Sequence, residues 1–491
     1  MKDINAWTTY DAAQEAELEQ LCRDYMRFLN EGKTERECVR RVIADAEEAG
    51  YRDLGGIIRE GGSVKPGDRV YAACMKKTIA LFQIGSAPIE EGMNILGAHI
   101  DSPRLDVKQN PLYEDGGIAY LDTHYYGGIK KYQWVTIPLA IHGVAALRDG
   151  TVRDIVIGED EDDPVFFVSD LLIHLAGQQM EKKARSVIDG EALDIIVGTR
   201  PPASNNEEDS READKAVQAG GSAAASREAA GEEDEAAAKD AVKKRVLELI
   251  KEKYGLEEDD FWSAELEVVP AARAREAGLD RSLILSYGQD DRACAYTSLA
   301  AMLETKDVTR TACCLLVDKE EIGSVGATGM QSRFFENTVA ELLQAMGAYS
   351  ELTLRRTLAH SRMLSSDVSA AFDPTYAAKF DKKNAALLGC GMVFNKFTGA
   401  RGKSGSNDAN AEYLGRLREI LHRHDVRFQS AELGRVDVGG GGTIAYIMSL
   451  YGMEVVDSGV AVLNMHAPYE ATSKADIYET KKGYLAFLAD A

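Results

Sequence analysis

The stretch GAHIDSP, residues 97–103, places His99 two residues before Asp101 at the end of an apolar run. A hydrogen bond between the two side chains at a strand end is the ordinary explanation of such a pair. The alternative is a metal ligand whose ring is oriented by a neighbouring carboxylate. The spacing alone is weak evidence for a metal. The other chemically active residues of the chain must therefore decide between the two interpretations.

Four further segments place carboxylates or a histidine after an apolar run or in a loop. They carry Asp290 in GQDDRACA, Glu320 and Glu321 in DKEEIGS, Asp367 in SSDVSAAFDP, and His466 in HAPYEATSKAD. Each has an ordinary explanation, such as a helix N-cap for Asp290 or a solvated turn for the adjacent glutamates. Taken together, they occupy positions where an open α/β sheet binds its ligands, beyond the carboxyl ends of the strands. The joint pattern favours a functional site.

The residue types in this set indicate what the site could do. Two histidines and four carboxylates suit a pair of divalent ions such as Zn²⁺, Mn²⁺ or Co²⁺. One carboxylate can bridge the ions, and each ion then takes one histidine and one further carboxylate. Two ions about 3.5–4 Å apart lower the pKa of a shared water toward ~7. The remaining glutamate of the adjacent pair can act as the general base, so a two-metal hydrolase is predicted.

Alternating strand-like and helix-like segments must position these residues. Residues 11–48 have apolar residues at helical spacing, and strand-like runs follow at 70–75, 78–85 and 93–99. From about residue 284 the alternation is regular. The segments are DDRACAYTSLAAMLE (helix), TACCLLV (strand), GATGMQSRFFENTVAELLQAM (helix), AALLGCGMVF (strand), DANAEYLGRLREILHRHD and GTIAYIMSLYG (helices), GVAVLNMH (strand) and SKADIYETKKGYLAFLAD (helix). This order predicts an α/β fold with a doubly wound mixed sheet.

The middle of the chain has a different texture, which predicts an inserted domain. Strand-like pieces such as VTIPLAIHGV, DIVIG and VFFVSDLLI alternate with turns there. We therefore predict a catalytic domain from residues 1–104 and 278–491, and a β-rich insert at 105–277. Within the insert, residues 203–241 are acidic, rich in Ala and nearly devoid of large apolar side chains. Such a stretch cannot bury enough surface to offset its ordering entropy, and we predict a surface insertion without an assigned role.

Composition restricts the partners and the compartment. The 491 residues include 57 Lys and Arg against 80 Asp and Glu, a net charge of −23, which argues against nucleic acid and anionic membranes. The seven cysteines are odd in number and form no C-x-x-C pair, which favours a reducing compartment. The acidic N-terminus has no signal-peptide pattern, and no run approaches the ~18 apolar residues of a membrane span. A cytoplasmic location is predicted.

The five motif stretches, in their order, resemble the aspartyl aminopeptidase family of dinuclear zinc metallopeptidases. The matching segments are GAHIDSPRLDVK, GQDDRACA, LLVDKEEIGS, SSDVSAAFDP and HAPYEATSKADIY, from about residue 90 to the end. The resemblance implies two zinc ions per subunit, although Mn or Co fit the same ligands. It implies that His99 and Asp367 bind one metal and that Glu321 and His466 bind the other. Asp290 would bridge both metals. Glu320 would be the general base, and Asp101 would orient the site. Asp291 stands where relatives also carry Asn.

The resemblance also implies an assembly and an active site completed by a second subunit. The family forms tetrahedral dodecamers built from dimers, with the inserted β domain at the dimer contact. A histidine of that insert reaches the neighbouring active site and helps to stabilise the oxyanion, and DLLIHLAGQQ places His174 at this position. A histidine on an ordinary helix face is the alternative interpretation.

Two loops are candidates for substrate contact. Lys396, in FNKFTGARGKSGSND, lies near the position of a substrate-contacting lysine in the family, where its cation could pair with an acidic first side chain. Extra Gly and Ser residues around Lys403 depart from the pattern of the family's eukaryotic members, so an Asp/Glu preference stays open. A solvated loop is the alternative. Gly439 to Thr443, in DVGGGGTIA, precede a helix, and Gly442 and Thr443 are the candidate contacts. Backbone N–H groups there could hold a carboxylate or an oxyanion, or the glycines could serve a packing turn.

The sequence therefore predicts a metal-dependent aminopeptidase that releases N-terminal amino acids from peptides. An N-acyl amino acid deacylase or a carboxypeptidase with the same two-metal centre is the first alternative. A shell protein that has kept the fold without its chemistry is the second. A peptide with a blocked N-terminus distinguishes the first alternative, and metal analysis distinguishes the second.

Overall fold

The computed structural model describes residues 4–202 and 240–491. Their contacts divide the chain into two compact units. The first contains Met1–Pro103, Tyr126–Ile129 and Ala272–Ala491, and the second contains Arg104–Tyr125 and Lys130–Ala271. The domain boundaries drawn from the sequence, at 104/105 and 277/278, stay a prediction. The acidic segment predicted at 203–241 falls outside the described residues except for its last two positions.

A nine-stranded mixed sheet organises the first unit. In spatial order its strands are Arg52–Asp53, Arg69–Cys74, Thr78–Gln83, Thr311–Val317, Met93–His99, Arg362–Ser366, Glu454–Gly459, Met392–Asn395 and Phe428–Ser430. The four strands from Thr311–Val317 to Glu454–Gly459 run parallel. They are almost wholly buried, as expected for parallel strands covered on both faces.

Helices cover both faces of this sheet. They span Ala12–Glu31, Glu35–Glu48, Leu54–Arg59, Gln289–Glu304, Phe334–Ala345, Glu351–Ala359, Ala411–Arg423, Ala445–Ser449 and Lys474–Asp490. Neighbouring strand residues belong to different apolar clusters: Leu96 and Cys314 pack in one, and Ile95 and Cys313 pack in the other. Because successive side chains of a strand point to opposite faces of the sheet, this alternation gives the sheet an apolar core on each side. The predicted α/β class is confirmed.

A smaller five-stranded sheet, which the sequence did not predict, completes the first unit. In spatial order its strands are Arg275–Ala277, Leu283–Ser286, Glu470–Ser473, Ala461–Leu463 and Ser369–Ala370. Most are short, and the signal of a two- to four-residue strand is too weak to separate from a loop by alternation alone. This sheet carries two of the segments that matter for the chemistry.

The second unit has a seven-stranded antiparallel sheet. In spatial order its strands are Val152–Ile157, Leu139–Ala146, Ala264–Pro270, Arg104–Asp115, Ile118–Tyr126, Ile195–Gly198 and Phe167–Val168. The α-helices of this unit within the described residues are Gly177–Met180 and Ala241–Tyr254. Among the residues that the structure describes, no helix is both long and apolar enough to cross a membrane.

Several predicted element bounds were wrong. The helical stretch predicted over 11–48 is two helices, because Gly32 ends the first and the Thr34 side chain caps the second. The helix predicted from residue 326 begins only at Phe334, since turns occupy 327–333. The predicted strand AALLGCGMVF is a strand only from Met392. The helix predicted in GTIAYIMSLYG is limited to Ala445–Ser449.

Candidate active site

Three adjacent parallel strands bring four of the six histidines and carboxylates of the predicted metal centre to one edge of the large sheet. Strand Met93–His99 lies between Thr311–Val317 and Arg362–Ser366 and runs parallel to both. The first of these strands ends in a histidine, and short loops follow the other two. The side chains delivered at these carboxyl ends are His99, Glu320, Glu321 and Asp367. The expectation that ligands gather beyond this edge agrees with the topology.

The five-stranded sheet delivers the other two residues. Asp290 lies at the start of helix Gln289–Glu304, shortly after strand Leu283–Ser286, and the Asp290–Asp291 peptide is cis. His466 follows strand Ala461–Leu463 and has a φ of +64°, in the left-handed region that few non-glycine residues adopt. Neither residue has the backbone conformation of a regular element, since φ and ψ of Asp290 are −83° and +105°, and a neighbouring side chain supports both.

Glu470 supplies that support, although sequence reasoning missed it. One of its carboxylate oxygens accepts the backbone N–H of His466 at 2.8 Å, and the other accepts that of Asp290 at 2.9 Å. Burial raises the pKa of Glu470 to about 8, and the nearby Asp290 charge adds to this effect. A single buried carboxyl therefore fixes the backbone of two site residues. Its position four residues after His466, in HAPYEATSKAD, was the only indication of this role in the sequence.

Asp290 stands between the two histidines. Its Oδ1 is 3.2 Å from Nε2 of His99, and its Oδ2 is 3.3 Å from Nε2 of His466. Burial alone would raise the pKa of Asp290, but the two imidazoles beside its oxygens, His466 and His99, lower it below its usual range. Each oxygen of one carboxylate thus faces a different imidazole, which is the geometry that a bridging ligand requires.

Two further carboxylates complete this arrangement. Donor atoms of His99, Asp290 and Glu321 lie within 4.8 Å of one another, and so do those of His99, Asp291 and Asp367. Glu321 also approaches His466, with Oε2 3.6 Å from Nε2. Burial raises the pKa values of Glu321 and Asp367, and neighbouring aspartates raise them further. This concentration of carboxylates is electrostatically costly unless a cation or protons compensate it.

Asp101 connects several residues of the candidate site through its hydrogen bonds. The Nδ1 of His99 lies 3.0 Å from the main-chain carbonyl of Asp101 and 3.3 Å from its carboxylate. The same carboxylate accepts the backbone N–H groups of Glu320 at 3.1 Å and Glu321 at 3.2 Å. It also accepts the Tyr126 hydroxyl at 2.9 Å. Because a carbonyl can only accept, the proton of His99 sits on Nδ1, and Nε2 is left as a ligand atom.

The donor set fits divalent metal. Oε1 of Glu321 is buried and has no hydrogen-bond partner within the described ranges. Buried carboxylate oxygens are rarely left without a donor, so a cation is the chemically reasonable counterpart. Imidazole nitrogen and carboxylate oxygen are ligands that Zn²⁺, Mn²⁺ and Co²⁺ share.

Glu320 is placed differently from its neighbour. It lies in the short 3-10 turn Glu320–Ile322, half-buried, and its carboxylate belongs to neither donor group of the described residues. Burial raises the pKa of Glu320; the charge of His99 opposes this rise, and those of Asp290 and Asp101 add to it. A carboxyl of raised pKa beside a metal centre is suited to proton transfer.

The remaining predicted residues lie in their own settings. Lys396 is half-exposed, with Nζ 3.6 Å from Asp408 Oδ1. Thr443 donates its hydroxyl to Asp457 at 2.6 Å, and its neighbour Gly442 is exposed. His174 belongs to the second unit, exposed in a turn rather than on a helix. The roles assigned to these residues stay predictions.

Comparison with known proteins identifies relatives along almost the whole chain. The family model described as Aminopeptidase I zinc metalloprotease (M18) matches residues 28–488. "Probable M18 family aminopeptidase 1" from Clostridium acetobutylicum is 55% identical over 484 residues, 99% of this chain and 97% of that protein. The crystal structure of an M18 family aminopeptidase from Thermotoga maritima has a TM-score of 0.88 at 41% identity, with 100% of both chains covered. That of aminopeptidase I from C. acetobutylicum has a TM-score of 0.86 at 53% identity, covering 99% of this chain and 98% of that one.

Proposed function

The chain belongs to the M18 family of zinc metalloprotease aminopeptidases, and from that membership we propose a two-metal peptidase that releases single amino acids from peptide N-termini. The observation that carries the proposal is the position of Asp290, with one carboxylate oxygen on each histidine. A mononuclear site would not need both oxygens of one carboxylate directed at different imidazoles. The same observation supports a bridging role for Asp290.

The remaining ligands follow from the neighbours of each histidine. Donor atoms of Asp367 and of Glu321 both lie within 4.8 Å of those of His99, and we assign His99 and Asp367 to one ion because Glu321 also approaches His466. We assign His466 and Glu321, 3.6 Å apart, to the other. The most suitable ion is Zn²⁺, as the family name indicates, although Mn²⁺ and Co²⁺ accept the same ligands.

The residues around the ions divide the chemical work. Bound there, two divalent ions supply Lewis acidity toward the scissile carbonyl and lower the pKa of the attacking water. The Glu320 carboxylate takes a proton from that water and passes it to the nitrogen of the leaving amine. The Asp101 carboxylate accepts the backbone N–H of Glu320 and so keeps that residue in place. The main-chain carbonyl of Asp101 fixes the ring of His99 through Nδ1. Carboxylates at the centre also attract the free α-ammonium group of a peptide.

Recognition of the free ammonium leads to the first test. We expect a peptide with a free N-terminus to be cleaved, and the same peptide with an acetylated N-terminus to resist, because acetylation removes the positive charge. An N-acyl amino acid deacylase would show the reverse preference, and a carboxypeptidase would cleave both. The measurement is amino acid release from the matched peptides with Zn²⁺, Mn²⁺ or Co²⁺ added in turn. Efficient cleavage of the blocked peptide would contradict the proposed function.

A preference for Asp or Glu as the first residue is the finer part of the proposal. Lys396 and Lys403 supply positive charge on one loop, which favours an acidic side chain. Asp408 opposes this charge, since it lies 3.6 Å from Nζ of Lys396 and 2.6 Å from Nζ of Lys403. A panel of all aminoacyl substrates determines whether the acidic ones are preferred. Backbone N–H groups at Gly442 and Thr443 are the proposed contact for an oxyanion or carboxylate.

We further propose an oligomer, a tetrahedral dodecamer built from dimers. The S. cerevisiae mApe1 dodecamer has this fold at 17% identity and a TM-score of 0.71. Four apolar side chains around His174 are exposed by 46–68% in this chain: Leu171, Leu172, Ile173 and Leu175. A contiguous exposed apolar run of this kind favours burial against another protein surface. The seven free cysteines agree with the cytoplasmic, reducing location that we propose.

The assembly proposal predicts that His174 acts on the active site of a partner subunit. His174→Ala and Glu320→Gln chains should each be nearly inactive alone. When the two variants are mixed and reassembled at random, about half of the dimers contain one chain of each kind. One of the two sites in such a dimer has both an intact Glu320 and an intact His174. Activity should therefore return to roughly a quarter of wild type. Activity that never exceeds the sum of the two separate variants would show that His174 does not act in trans. His124→Ala, in the same unit, is the control for loss of an exposed histidine.

A further inference from the structure

Three consecutive residues of one segment each contact a different group of the candidate metal centre. Residues 126–129, here called the 126–129 segment, belong to the first unit although both flanking stretches belong to the second. The Tyr126 hydroxyl donates to Asp101 at 2.9 Å. Gly127 lies against Glu321, and the main chain of Gly128 meets His466. None of these three residues is a candidate ligand, and none carries a role in the chemistry described above.

The main-chain carbonyl of Gly128 accepts a hydrogen bond from Nδ1 of His466 at 2.9 Å. A carbonyl oxygen has no proton to give, so the imidazole proton must sit on Nδ1. Nε2, which lies 3.3 Å from Asp290, is then the atom with a free lone pair. This duplicates the arrangement at His99, where the carbonyl of Asp101 meets Nδ1. The two histidines therefore present the same nitrogen toward Asp290.

A side chain on either glycine would touch one of the proposed ligands. A Cβ on Gly128 would lie 3.3 Å from Nδ1 of His466, closer than side-chain carbons ordinarily approach. The φ of Gly128 is outside the left-handed region, so an alanine there would meet crowding without backbone strain. A Cβ on Gly127 would lie 3.4 Å from both Cβ and Oε2 of Glu321, and its φ of +77° adds strain for any other residue.

We infer that the 126–129 segment is a positioning element that fixes the tautomer and ring orientation of His466 and the placement of Glu321 for metal binding. This rests on the proposed two-metal function, because both residues are assigned there to the same ion. Groups that orient a ligand from behind typically change metal affinity about 10–100-fold when they are disturbed. The inference therefore predicts a selective loss of affinity at one of two metal sites.

The test is a zinc titration of the metal-free full-length protein against a chelating indicator, with Gly128→Ala as the main variant. We expect wild type to bind two Zn²⁺ per chain. Gly128→Ala should keep one site at wild-type affinity and weaken the other at least about tenfold, because the ring of His466 must shift to accommodate the methyl group. Urea unfolding of the metal-free variant should match wild type, since the added methyl group acts on a ligand and not on the core.

Gly117→Ala is the matched control for Gly127→Ala. Gly117 has a φ of +76°, almost that of Gly127, and nothing lies within 4 Å of its added Cβ. Both variants share the backbone strain, and only Gly127→Ala should weaken zinc binding. Unchanged zinc binding in Gly128→Ala, or equal effects of Gly117→Ala and Gly127→Ala, would overturn the inference alone. A wild-type chain that binds no zinc would instead refute the proposed function on which it rests.

Discussion

Glu320→Gln is expected to keep both metals and to lower kcat by about 10²–10⁴-fold, the usual contribution of a general acid–base group. The amide is nearly isosteric with the carboxyl but can neither take a proton from water nor return one to the leaving nitrogen. The anchoring backbone N–H of Glu320, which donates to Asp101, is unaffected by the substitution. Peptide cleavage rates and metal content per chain, measured on the same preparation, provide the test.

Glu412→Gln serves as the control, since this glutamate is exposed at the start of a helix. It should have wild-type activity and metal content. Near wild-type turnover by Glu320→Gln would mean that another group moves the proton. Loss of metal from Glu320→Gln would indicate that Glu320 is a ligand, contrary to the assignment of Glu321 to that role.

Asp290→Asn is expected to abolish the two-metal centre. An amide offers one coordinating oxygen, and its NH₂ group cannot bind a cation. One histidine would then face a nitrogen donor where an oxygen now lies 3.2–3.3 Å away. We expect metal content to fall from two ions per chain to one or none, and activity to fall at least about a thousandfold, because residues that act as a unit fail together. Metal analysis after dialysis, combined with peptide cleavage, measures both effects.

The adjacent residue gives a demanding control for this prediction. One Asp291 oxygen accepts the backbone N–H of His99 at 3.4 Å, and an asparagine oxygen can do the same. Asp291→Asn should therefore keep two ions and most of the activity. If Asp291→Asn lost an ion while Asp290→Asn kept both, the bridging assignment would be wrong. Asp291 would then be the ligand, grouped with His99 and Asp367 as its atoms permit.

Local sequence patterns were sufficient to predict the main helices and strands of the first unit. Strand Thr311–Val317 and helix Lys474–Asp490 match the segments TACCLLV and SKADIYETKKGYLAFLAD closely. Both are long apolar or periodic runs with clear ends, so nearest-neighbour preferences and burial agree. Elements were misjudged where tertiary contacts override periodicity, as in the turns that precede Phe334, or where strands are too short to have a pattern.

Candidate donor residues could also be proposed from the sequence, because metal ligands belong to few residue types and each candidate followed a recognisable apolar run. What the sequence by itself determined is therefore the list of candidates for the site: His99, Asp290, Glu320, Glu321, Asp367 and His466, with Asp101 beside them. Their chemistry restricts the possible reactions, whatever the exact geometry.

Only the tertiary structure decided how these groups are held. Three features cannot be read from the sequence. They are the division of the candidate ligands between two sheets, the support of two backbones by Glu470, and the approach of Gly128 to His466. Gly128 and His466 are 338 residues apart, and their contact joins a main-chain carbonyl to a ring nitrogen. A carbonyl is common to every residue, so no residue type marks it as a partner. Its function arises from position alone, and position is fixed by packing across the folded chain.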